Sequence, residues 1–134
     1  MNLASRLEGQ SKTYGVSIVA GAATAEDTPD LAWLELDLIR VKGKDNAVRI
    51  FALLGDETVA AEPWFRLTRL AQNEMLTAYR MQNWSQAREA LARVRQAAGR
   101  SLDDLCDLFE RRLTAFEKQA PASPWDGVYA AAEK

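Results

Sequence analysis

The chain has 134 residues, 48% of them hydrophobic and 27% charged, with a formal net charge of −2, one cysteine and no histidine. Such a composition suits a folded globular chain rather than a disordered one, and offers no overall basic field for nucleic acid. Serine–histidine–aspartate hydrolysis and histidine-ligated zinc are excluded, and the lone Cys106 forbids an internal disulfide.

Residues 2–14 read as a helix whose stripe of Leu3, Leu7 and Tyr14 faces inward. Asn2 and Arg6 lie four apart and share a different face. They offer an amide and a permanent fork-shaped cation, a pair suited to a reacting phosphate. Gly15 ends the helix where a left-handed residue is wanted. Residues 16–19 predict a short strand stopped by Gly21, and residues 22–27 one helical turn before the Thr28-Pro29-Asp30 break.

A second strand is expected over about residues 32–41, with Leu34, Leu36 and Leu38 on one face and Glu35, Asp37 and Ile39 on the other. Lys42-Gly43-Lys44-Asp45-Asn46 is a turn, and residues 48–54 return as the antiparallel partner. The expected architecture is α+β: a helix and three mainly antiparallel strands, followed by a helical tail. The small sheet buries little area and leaves an unpaired edge, which predicts a homodimer or a domain-swapped oligomer.

Gly55-Asp56-Glu57-Thr58 marks the boundary between a first region, residues 1–56, and a second, residues 57–134, because the apolar period there changes from two to 3.6. Pro63 suits a first helical position, and Leu67, Leu70, Ala71, Met75 and Tyr79 follow at helical spacing. Asn83-Trp84 breaks this helix and Ser85 is placed to cap the next, which carries Ala87, Ala90, Leu91 and Val94 and closes at Gly99. Ser101-Leu102-Asp103-Asp104 has a capping-box pattern and opens a third helix with Leu102, Leu105, Cys106, Phe109, Leu113 and Phe116 inward. Cys106 on that stripe is expected to be an inert small hydrophobe. Residues 125–129 read as an extended or irregular segment whose aromatics dock on the helices. The segment from Ala78 to Ala87 resembles the helix–turn–helix of a tetratricopeptide unit, and a helical protein–protein interaction module is the alternative reading of the chain.

Asn2-Leu3-Ala4-Ser5-Arg6-Leu7-Glu8, Tyr14-Gly15-Val16, Leu36-Asp37-Leu38-Ile39-Arg40-Val41-Lys42-Gly43-Lys44 and Val48-Arg49-Ile50-Phe51-Ala52-Leu53 occur in that order. Together they resemble the C-terminal portion of the catalytic domain of class III adenylate/guanylate cyclases. The resemblance covers roughly residues 2–54 and implies a remnant of a ferredoxin-like cyclase domain. It implies that Asn2 holds the ribose, that Arg6 offsets charge on the phosphorus under attack, and that Lys42, with Lys44 as a weaker candidate, grips the terminal phosphates. The substrate implied is a nucleoside triphosphate, and the intact family domain uses magnesium or manganese.

The family's two metal aspartates have no counterpart here. Asp30, Asp37 and Asp56 are expected to be solvated, so no metal site is assigned to this chain. The resemblance therefore implies part of a longer catalytic domain, inactive alone. No apolar run approaches the ~20 residues of a membrane span, and a cytoplasmic location is expected.

Overall fold

The computed structural model describes residues 10–40, 47–121, 125 and 127–130. Helix α1 (Gln10–Tyr14) is the described end of the expected opening helix, whose earlier residues lie outside the described set. Gly15 stops it at φ 70°, a value that a side chain would strain, and the Val16 amide bonds back to the Ser11 carbonyl at 3.0 Å. The chain then needs residues 16–18 to leave the helix. Strand β1 therefore runs Val19–Gly21, later than expected and through Gly21 rather than ending before it. Helix α2 (Ala22–Asp27) follows as the single helical segment the sequence suggested.

Strands β2 (Trp33–Arg40) and β3 (Val48–Leu53) form the antiparallel pair, and β1 pairs antiparallel with the other edge of β3. Their pattern departs from simple alternation. Leu34 faces Ala52 and Glu35 faces Phe51, but Asp37 faces Ile50, so Leu36 is an extra residue at a β-bulge. A one-residue insertion inverts the face of everything after it. Ile39 consequently joins the core, while Leu38 leaves the row expected for it and becomes half-buried opposite Arg49. Leu34, Ile39, Ile50 and Ala52 are fully buried, and burying each of the larger ones is worth roughly 1.5–3 kcal/mol.

The bulge also turns Asp37 inward. This carboxylate is fully buried, not solvated as its mid-strand position suggested. Strand β4 (Tyr129–Ala130) adds a second correction: it pairs parallel with β2, giving the order β1-β3-β2-β4. Residues 125–129 thus do not simply rest on helices.

By its internal contacts the chain forms two compact units, Met1–Ala60 with Val128–Lys134, and Ala61–Gly127. The first is α+β and ends its main segment in α3 (Glu57–Ala60), whose start is capped by the Asp56 carboxylate accepting from the Thr58 and Val59 amides.

The second unit is helical. Helix α4 (Pro63–Arg80) begins on Pro63 as expected and ends before Gln82, a non-glycine residue at φ 62°. Helix α5 (Trp84–Ala98) is capped by Asn83, whose side chain accepts from the Gln86 amide; Ser85 is one residue too late to do this. A 3₁₀ turn (Gly99–Leu102) leads into α6 (Asp103–Lys118). The expected capping box does not form, because the Ser101 hydroxyl donates back to the Ala98 carbonyl at 2.7 Å.

Tyr79, Trp84, Phe109, Phe116 and Trp125 make one aromatic cluster, with Tyr79–Phe109 edge-to-face at 5.4 Å and Trp84 stacked on Phe116 at 5.3 Å. Gly127 follows Trp125 at φ 83°, and a Cβ there would meet Arg80 Cγ at 2.9 Å.

Two apolar rows, not one, run along α4. Phe65, Ala71, Met75, Leu76 and Tyr79 are buried, whereas Leu67 and Leu70 are 59% and 57% exposed.

Candidate functional site

Asn2, Arg6, Lys42 and Lys44 all lie outside the described residues. The described chain fixes their sequence neighbours instead. The segment that carries Lys42 and Lys44 joins β2, which ends at Arg40, to β3, whose first residue Val48 pairs with Ile39.

Beside this connection a groove of about 570 Å³ is lined by Val19–Thr24, Leu38 and Ala47–Arg49. Its walls are small and apolar because β1 and the first turn of α2 supply alanines and glycine. Arg49 is the one cation among the described residues that line it. The Arg49 guanidinium donates to both oxygens of Glu35, at 2.7 and 3.1 Å, and lies 5.5 Å from the Phe51 ring centre. Donating to the Glu35 carboxylate raises the Arg49 pKa, overcoming the cost of its partial burial. A bidentate pair of this kind orients the arginine but also neutralises it, so the groove presents an apolar wall with a compensated charge at its rim. Neither Glu35 nor Arg49 was singled out from sequence. Their pairing follows from the register, because Glu35 faces Phe51 and Arg49 lies two residues from Phe51 on the same face of β3.

Asp37 is the second polar feature. The Tyr14 hydroxyl donates to Asp37 Oδ2 at 2.7 Å, and the Leu38 amide donates to Oδ1 at 2.9 Å. Tyr14 comes from α1, so this contact ties the end of the opening helix to the middle of β2. It is closed to solvent and acts as a tether between helix and sheet. Asp37 is engaged by these donors, Asp56 caps α3, and Asp30 is exposed in a loop. Among the described residues no three potential ligands come together as a metal site. These carboxylates do not fit a pair of divalent ions.

In the helical unit, Cys106 is fully buried, and burial pushes its thiol up to about 11. It is a packing residue with no nucleophilic character at neutral pH. The acidic start of α6 meets Arg95, which reaches Asp103 at 3.3 Å and Asp107 and Glu110 at 3.0 Å each. Arg112 is buried against the aromatic cluster, 4.9 Å from the Phe109 ring centre. These charges staple helices and mark no reacting centre. Among the described residues no helix is long and apolar enough to cross a membrane.

A scan of family models, a search of curated proteins and a search of solved structures return no match to this chain.

Proposed function

We propose that the first region is the C-terminal portion of a class III nucleotide cyclase catalytic domain, a remnant of its ferredoxin-like fold. In that reaction the 3′-oxygen of a nucleoside triphosphate attacks the α-phosphorus. The bond from that phosphorus to the bridging oxygen breaks, and pyrophosphate leaves with the electron pair. Asn2 orients the ribose, the Arg6 guanidinium offsets the charge gathering on the pentavalent phosphorus, and Lys42, assisted by Lys44, holds the leaving phosphates. Positioning and electrostatic stabilisation carry most of the barrier lowering in phosphoryl transfer, and these residue types suit both.

The observation that supports this reading most is the antiparallel β2–β3 pair. Its strands carry the Leu-Asp-Leu-Ile-Arg and Val-Arg-Ile-Phe-Ala-Leu segments of the resemblance, and its connection contains Lys42-Gly43-Lys44. Magnesium or manganese neutralises the triphosphate in the intact family domain. The described carboxylates Asp30, Asp37 and Asp56 do not fit that role, and on this reading the metal ligands come from another segment or subunit.

Reconstitution tests the proposal. Joined to an upstream catalytic segment bearing two metal aspartates, the chain should yield cyclic nucleotide and pyrophosphate from ATP or GTP. Arg6→Ala should then lower kcat about 10²–10³-fold, as loss of one transition-state donor does elsewhere. The isolated 134-residue chain should yield none. Turnover by the isolated chain, or reconstituted turnover indifferent to Arg6→Ala, would contradict the reading.

A further inference from the structure

Two elements of the sheet unit adjoin, in the sequence, the residues of the proposed site. Asn2 and Arg6 precede α1, which ends at Tyr14, and Lys42 and Lys44 follow β2, which contains Asp37. The Tyr14 hydroxyl donates to Asp37 Oδ2 at 2.7 Å and so joins the two elements directly.

Each end of that bond is itself held in place. Gly15, at φ 70°, stops α1 directly after Tyr14, and the Val16 amide closes the helix end on the Ser11 carbonyl. Beyond Asp37, Ile39 pairs with Val48 on one edge of β2 and with Tyr129 on the other, and Arg40 pairs with Ala130. The bond therefore links a closed helix end to a strand end paired on both edges.

Stability alone does not call for a carboxylate at this point. Asp37 is fully buried and Tyr14 is 1% exposed, and taking a carboxylate out of water is costly even when donors meet it. An apolar pair of similar shape packs as well or better. What such a pair lacks is direction. The Tyr14 hydroxyl must reach Oδ2 while Oδ1 accepts from the Leu38 amide at 2.9 Å, which confines α1 to a narrow range of positions along β2. The bulge at Leu36 is what turns Asp37 inward to make this contact.

We infer that Tyr14 and Asp37 are positioning residues of the proposed nucleotide site, their hydrogen bond setting the spacing between the segment that carries Asn2 and Arg6 and the segment that carries Lys42. The inference rests on the cyclase reading. A nucleoside triphosphate engages both segments at once, through its ribose and α-phosphate on one side and its terminal phosphates on the other. Its affinity therefore depends on their spacing. Pyrophosphate needs only the lysines and is indifferent to it.

NMR titrations of the full chain with ATP and with pyrophosphate test it, with circular dichroism to show that each variant is folded. The parent chain should bind ATP more tightly than pyrophosphate. Tyr14→Phe should weaken ATP binding roughly 10-fold and alter pyrophosphate binding less than about twofold. Adding Asp37→Leu separates positioning from stability. The double variant should regain part of the stability lost in denaturant, while its ATP affinity stays at the Tyr14→Phe level. A parent chain with no preference for ATP contradicts the cyclase reading and this inference with it. A preference that Tyr14→Phe leaves intact, or ATP affinity that returns with stability in the double variant, overturns this inference alone.

Discussion

The sheet unit and the helical unit solve the same problem with different chemistry. In the helical unit, four aromatic rings gather around Tyr79, and the charged residues stay largely at the periphery. Its contacts join neighbouring helices, and a periodic sequence suffices to specify them. The sheet unit has fewer large side chains and places a carboxylate in its interior. Asp37 is affordable there only because a tyrosine hydroxyl and a backbone amide both reach it. The difference teaches where each unit is fragile: one at its packing, the other at its polar contacts.

The largest effect should come from the aromatic cluster. Phe109→Ala removes a fully buried ring against Tyr79 and Arg112 and should destabilise the helical unit by about 3–5 kcal/mol in a denaturant titration. A loss below about 1 kcal/mol would mean that the cluster is ornament rather than core, and would erase half of the contrast.

A smaller effect is expected in the sheet unit from Tyr14→Phe. It keeps the ring and deletes only the hydroxyl that serves Asp37, so the cost should be about 1–3 kcal/mol, set by the buried acceptor it abandons. Restoring apolar character at both ends, with Tyr14→Phe and Asp37→Leu together, should recover part of that loss. Equal stability of Tyr14→Phe and the parent chain would show that the sheet unit does not depend on its buried polar pair.

The same contrast explains what was legible in the sequence. Helix positions from Pro63 to Lys118 follow from period and punctuation, because contacts three and four residues apart are local. The caps were misread by small margins: Asn83 replaces Ser85, and Ser101 turns its hydroxyl back to Ala98. Helical spacing groups Leu67 and Leu70 with the buried Ala71, Met75 and Tyr79, because periodicity marks apolar positions without saying which of them are covered.

In the sheet, Leu36 carried the decisive information, and alternation alone could not show it. A bulge is a property of two strands in register, and one strand written by itself looks regular. The burial of Asp37 and the inward turn of Ile39 both follow from that one inserted residue. Strand β4 was equally hidden, because two residues carry no periodic signal and their pairing with β2 is distant in sequence. Of the candidate site, the motif residues Asn2, Arg6, Lys42 and Lys44 are visible from sequence alone, while the groove that Arg49 lines requires the fold.

If nucleotide handling belongs to the sheet unit alone, an amide-resolved NMR titration of the full chain with ATP will show it most directly. Shifts should appear in residues 1–9 and 41–46, with Arg6, Lys42, Gly43 and Lys44 foremost, while residues 61–127 stay unmoved. Weak binding is sufficient for this readout. An unchanged spectrum at millimolar ATP, or shifts centred in the helical unit, would contradict the account.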